Sequence, residues 1–234
     1  MSINQQLHDV YSEYWSDLLS QLDDEKNEHT NPLLICIDEE KLANADIKVM
    51  IFGQETKGWW DKDGFTRSIN IGMDRYKKFF CDEGFYPGYK RSAYWKGFRF
   101  FQKELNKHNK GKKIIYIWNN ISKIGKANAK TGVIPRIRAI ERNSFPVIKK
   151  EVDIIKPDII IFLTGPNRDH DIKFHFSDVE FLNSDTSNTQ RQLAKVSSKY
   201  LPPMSIRMYH PSFFKGFNTK LKSNAIKLLT TASS

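Results

Sequence analysis

Four short strand-like runs, each halting at a glycine or a polar residue, constrain this chain more than any other feature. Ile47–Phe52 stops at Gly53, and Lys113–Trp118 stops at Asn119-Asn120. Ile159–Leu163 stops at Thr164-Gly165-Pro166, and Ser205–Tyr209 stops at His210-Pro211-Ser212. Runs this short and this rich in Ile, Val and aromatics are the signature of strands buried on both faces. Stretches with helical spacing separate them. Leu7, Val10, Tyr11, Tyr14, Trp15, Leu18 and Leu19 recur at three-and-four spacing over residues 4–22. Further helical patterns cover about 71–80, 91–107, 188–198 and 217–230, with a short strand at 179–182. Pro135 suits the first position of a helix that the pattern extends to about Ile155. Strands alternating with helices predict a mainly parallel sheet covered on both faces.

At 234 residues the chain suits one buried core, and no repeat or low-complexity linker marks a boundary. A single domain over 1–234 is therefore predicted, with an N-terminal helix in 1–30 and a divergent loop and helical insertion at 59–112. The apolar runs are too short to span a bilayer, and Met1–Asp9 shows no basic segment leading into an apolar one. Those features predict a cytoplasmic protein with no membrane contact. Cys36 and Cys81 lack neighbours at ligand spacing, which predicts ordinary thiols, no metal centre and no iron–sulfur cluster.

Charge narrows the partner. Thirty-seven Lys and Arg against twenty-seven Asp and Glu give a net charge of +10, which attracts polyanions. The excess gathers in Arg67–Arg99, Lys103–Lys130 and Arg136–Lys150. Aromatics interleave with it at Tyr76–Phe80 and Tyr89–Lys96. Cations meet phosphates and flat rings meet unstacked bases, so the mixture suits single-stranded or locally opened nucleic acid.

In sheets of this kind ligands bind beyond the carboxyl ends of the strands, where the notable residues fall. Glu55 could orient water or stabilise a developing cation; the plainer alternative is a loop carboxylate that caps an element. Asn119 could read the edge of one base, or simply form a turn. His210 could donate a proton-bearing nitrogen to an oxygen gaining charge, or bond a main-chain carbonyl. Trp59, Trp60 and Phe65 could offer a stacking face, or anchor their loop in the core.

The order of these features resembles the uracil-DNA glycosylase superfamily. Gly53-Gln54-Glu55-Thr56-Lys57-Gly58 stands where the family has Gly-Gln-Asp-Pro-Tyr-His, and Ile115-Tyr116-Ile117-Trp118-Asn119 resembles its pyrimidine-reading strand end. Lys156–Gly165 looks like the family's buried strand followed by glycine, and His210-Pro211-Ser212 matches its closing loop literally. The chain departs at Glu55 for the water-activating Asp, at Lys57 for the pocket-closing Tyr and at Gly58 for the motif's His. The resemblance implies a three-layer α/β/α sandwich with a four-stranded, mainly parallel central sheet. It implies catalysis by Glu55 and His210, base contacts from Gln54, Asn119, Trp59 and Phe65, and phosphate contacts from Ser212 and Gly165. No cofactor is implied, and a monomer is expected.

Two readings follow. The first is a DNA-binding protein that hydrolyses the N-glycosidic bond of a flipped, damaged base. The second is a catalytically inactive nucleic-acid or nucleotide binding module of the same fold, favoured by the substitutions at Glu55, Lys57 and Gly58. An unrelated doubly wound enzyme is a third, opposed by the lack of a glycine-rich phosphate loop.

Overall fold

The computed structural model describes residues 1–22, 28–59, 66–82, 92–128, 130–184, 186–213 and 217–230. They form two compact units, each assembled from separate chain segments. The first comprises Met1–Glu39, Gln54–Gly84 and Asn119–Ile155; the second comprises Glu40–Gly53, Phe85–Trp118 and Lys156–Ser234.

The second unit is built on the sheet. Six strands, β1 (Ile47–Gly53), β2 (Ile114–Asn120), β3 (Ile159–Phe162), β4 (Glu180–Asn183), β5 (Leu193–Ser197) and β6 (Met204–Met208), are ordered β2-β1-β3-β6-β5-β4. β1, β3 and β6 are parallel, with Val49 opposite Ile159 and Ile159 opposite Met204. All four residues of β3 are buried, as its unbroken Ile-Ile-Ile-Phe run requires. β5 runs antiparallel to both β6 and β4. The sheet is thus six-stranded and mixed, and the four-stranded, mainly parallel expectation is corrected. The short strand expected at 179–182 is β4, an edge strand with no buried residue, while the 188–198 segment read as helical supplies β5 instead. Leu193 and Val196 are spaced as on a helix, yet pairing of Leu193 with Met208 makes them strand neighbours. Tertiary pairing overrides local spacing there.

The helices follow their patterns more closely. α1 (Ile3–Leu22) buries Leu7, Tyr11, Trp15, Leu18 and Leu22 inside the first unit. A short α2 covers Glu39–Ala43, and α3 (Ile69–Tyr76) continues into a π-helical turn over Lys77–Asp82. Ser68 caps α3 through Ile71 N–H, and Ser92 caps α4 (Ala93–His108) through Trp95 N–H. The single helix expected from Pro135 to Ile155 is two, α5 (Pro135–Ser144) and α6 (Ile148–Ile155). Pro146 explains the break, because the residue before proline is forced from helical geometry and Phe145 adopts φ −147°. In the stretch 167–200, a 3₁₀ turn at Pro166–Arg168 leads into α7 (Asp169–His175); α8 (Thr219–Thr230) closes the described chain. No helix among the described residues is long and apolar enough to cross a membrane.

The first unit packs α1 against α3, α5 and α6. Tyr11 stacks on Phe145 at 6.0 Å and Trp15 meets the same ring edge-on at 5.9 Å, while the Trp15 indole donates to Arg67 O. A Cβ at Gly72 would sit 2.7 Å from Leu34 Cδ1, so α3 packs closely on the buried Leu33–Ile37 run and a side chain there would need the Leu34 side chain to shift.

Candidate functional site

Within the second unit, the ends of β3 and β6 form a corner. Gly165, with φ +74° and ψ 162°, donates its N–H to Met208 O at 3.0 Å. A Cβ on it would lie 3.4 Å from His210 N in a conformation L residues rarely adopt, so glycine is required where these loops touch. Next in chain, His210 leaves β6 half-buried, with its ring stacked on Tyr94 of α4 at 6.4 Å and 12°. Tyr94 is held in turn by a hydrogen bond from its hydroxyl to Ile51 O.

The hydrogen bonds of His210 assign its tautomer. Ser212 N–H points to Nδ1 at 3.2 Å, and a main-chain N–H can only donate. Nδ1 therefore carries a lone pair and Nε2 carries the proton; the Ser212 hydroxyl, 2.7 Å from Nδ1, donates as well. Burial, helped by the Arg168 guanidinium, pushes the imidazole down to about 4, so it is neutral near pH 7. The corner thus holds a neutral imidazole with its N–H on Nε2. Ser212, expected to bind phosphate, directs both its donors at His210 and so fixes the ring.

Arg168 reaches Asp171 at 3.3 Å from the same turn. Pro166 and Asp169 of this segment also line a cleft of about 550 Å³, together with Lys173, Phe181, Arg191 and Arg207. Arg207 is 2% exposed and is held by a bidentate ion pair with Asp169 and by the carbonyls of Gln190 and Arg191.

The remaining sequence-predicted residues lie in the first unit. Glu55, two residues beyond the end of β1, accepts Gly132 N–H at 2.6 Å through Oε1. Gln54 uses its carbonyl to accept Ser122 N–H. Trp59 is 7% exposed and meets Phe79 edge-on at 5.5 Å, so its ring belongs to the core. Trp60 and Phe65 lie outside the described residues.

Asn119 is fully buried, and its amide is committed at both ends. Nδ2 donates to Glu151 Oε2 at 2.9 Å, and Oδ1 accepts Lys123 Nζ at 2.7 Å and Asn120 N–H at 2.8 Å. Lys123 Nζ also pairs with Glu151 Oε1 at 2.7 Å, with both side chains wholly excluded from solvent. The Tyr11 hydroxyl donates to the same Oε1 and accepts Ile35 N–H. Burial lowers the Lys123 ammonium from its ordinary value, Glu151 opposing, and raises the Tyr11 hydroxyl well above its own. The base-reading role expected of Asn119 finds no outward-facing amide here.

Sequence reading missed Tyr94, Arg168, Lys123 and Glu151. The signal for Lys123 was faint but present, a lysine between Ile121-Ser122 and Ile124 just after a buried strand. No group of three or more His, Cys, Asp or Glu among the described residues is placed to hold a metal ion. No protein-family model matches the chain, and no curated protein matches it in sequence.

Proposed function

We propose that this protein is a divergent uracil-DNA glycosylase-like protein that binds DNA and hydrolyses the N-glycosidic bond of a flipped, damaged base. The observation that carries this reading is His210, a neutral imidazole with its proton on Nε2, oriented by Ser212 and stacked on Tyr94. Such a group donates a hydrogen bond to an oxygen as negative charge develops on it, which is what the departing base requires.

In this reading the nucleotide leaves the stack at a cost of roughly a few kcal/mol, least for a mispaired base. The C1′–N bond breaks and its electron pair leaves with the base, whose oxygen gains charge against His210 Nε2–H. A water molecule adds to C1′ of the cationic sugar. That water loses one proton to solvent, the base anion takes one up from solvent, and the products are the free base and an abasic sugar. The protein acts as a cytoplasmic monomer.

The test is incubation with oligonucleotides carrying uracil, hypoxanthine or oxidised pyrimidines, followed by detection of abasic sites. The expected result is base release from at least one substrate. His210→Gln should slow it by roughly 10²–10³-fold with DNA affinity nearly unchanged, because the contact strengthens in the transition state.

One observation favours a second reading, a binding module of the same kind without chemistry: the amide of Asn119 is buried and bonded internally. DNA binding with no base released from any substrate would decide for it.

A further inference from the structure

The lysines of α4 form a line. Lys96, Phe100, Lys103 and Lys107 follow one another at steps of four, three and four, which places them on one face of the helix. The opposite face buries Trp95, Phe98, Phe101 and Leu105. The three lysines are exposed and the phenylalanine is half-buried. From Lys96 to Lys107 the stripe runs along about 16 Å of helix axis. A fourth cation joins it from α8, where Lys222 Nζ lies 5.1 Å above the Phe100 ring and 5.3 Å above that of Phe217.

None of these four lysines has a carboxylate partner among the described residues. Other surface lysines do: Lys77 pairs with Asp82, Lys149 with Asp153 and Lys150 with Glu13. Lys107 gains something from the helix C-terminus, but Lys96 sits in the first turns of α4, against the helix dipole. A row of uncompensated like charges, one placed against the dipole, costs stability in the free protein and favours a linear polyanion.

The stripe also begins at the candidate site. A Cβ at Gly97 would lie 2.5 Å from Pro211 Cγ, so α4 meets the His210-Pro211-Ser212 loop one residue beyond Lys96.

We propose that the Lys96–Lys103–Lys107 stripe of α4, with Lys222 of α8, is a track for the sugar–phosphate backbone of the strand that enters the His210 corner. This extends the DNA-binding reading above and rests on it. The lysines neutralise successive phosphates, and Phe100 offers a ring edge to the sugars or bases between them. The track also supplies the phosphate contacts that Ser212, turned toward His210, does not.

The experiment compares the intact protein with a Lys96→Gln/Lys103→Gln/Lys107→Gln variant and with Lys222→Gln. Binding to fluorescein-labelled single-stranded oligonucleotides, short and long, is measured across a salt series. Glutamine keeps helix propensity and Lys96, Lys103 and Lys107 are exposed, so circular dichroism and melting of the triple variant should not change. The triple variant should lower the slope of log affinity against log salt by about 2, and affinity at 0.1 M salt by roughly a hundredfold. Lys222→Gln should lower the slope by about 0.7. Long oligonucleotides should lose more affinity than short ones, since only they reach the far end of the stripe. An unchanged slope in a triple variant whose parent binds DNA overturns the track and leaves the DNA reading standing. Failure of the parent to bind any oligonucleotide overturns both. Binding of phosphatidylserine vesicles without oligonucleotide binding likewise overturns the track, by assigning the stripe to a lipid surface.

Discussion

Asn119 and His210 occupy comparable places in the chain, each a polar residue at or just beyond the end of a buried strand, and they meet opposite fates. Asn119 is closed into a network with Lys123, Glu151, Asn120 and Tyr11, and no polar atom of its amide faces water. His210 is tied at Nδ1 alone, by its own loop, and remains half-exposed. What separates them is the neighbour. Asn119 has a lysine four residues on and a glutamate on α6 that must both be neutralised inside a core, whereas Pro211-Ser212 turns back to hold one edge of the imidazole. A buried charge recruits every nearby polar group, because an uncompensated one costs several kcal/mol.

The comparison breaks most visibly at Glu151. Glu151→Gln leaves the Lys123 ammonium buried without the carboxylate it pairs with directly, the buried Glu141 remaining nearby, and should cost about 3–5 kcal/mol of unfolding free energy in urea denaturation. Adding Lys123→Met should recover most of that loss. If Glu151→Gln costs no more than a surface substitution, the network is not the closed system described. Tyr11→Phe is the next test: it removes a donor from Glu151 and leaves Ile35 N–H without its acceptor. A loss of about 1–3 kcal/mol is expected in the same assay.

At His210 the expected effect on stability is smaller and depends on pH. Its folded value of about 4 lies below the ordinary 6.5. Between those values the unfolded chain takes up a proton that the folded chain refuses, so stability falls as pH drops from 6.5 toward 4 and is level above 6.5. Denaturation midpoints of the wild type and His210→Gln, measured stepwise, should show an extra pH-dependent loss in the wild type within that window. Arg168→Ala should narrow the difference by raising the folded value. A difference that persists unchanged above the window would place the effect in packing instead of titration. Ser212→Ala should have the smallest effect, about 1 kcal/mol or less, because one main-chain donor to Nδ1 remains. It sharpens the contrast by showing how little holds His210 compared with Asn119.

Much of the framework was legible in the sequence. Ile47–Phe52 and Ile159–Leu163 announce buried strands because only a strand covered on both faces tolerates such uniform runs. α1 was readable from its spacing, and the His210-Pro211-Ser212 turn from its proline. β5 was not, since Leu193–Ser197 fits either period. Of the site residues, the sequence pointed to His210 as a donor, while the tautomer depended on the direction of Ser212 N–H, a property of the folded turn.

The amino-acid order by itself determined the α/β class, the parallel core strands, the positive charge and the polar residues at strand ends, because these follow from local periodicity and composition. Only the tertiary structure decided which polar ends face inward. Burial and pairing are set by residues far away in sequence, Tyr11 and Glu151 for Asn119, Tyr94 and Gly165 for His210. Local patterns carry no record of such neighbours, so an asparagine that closes a core network and one that reads a base look alike until the chain has folded.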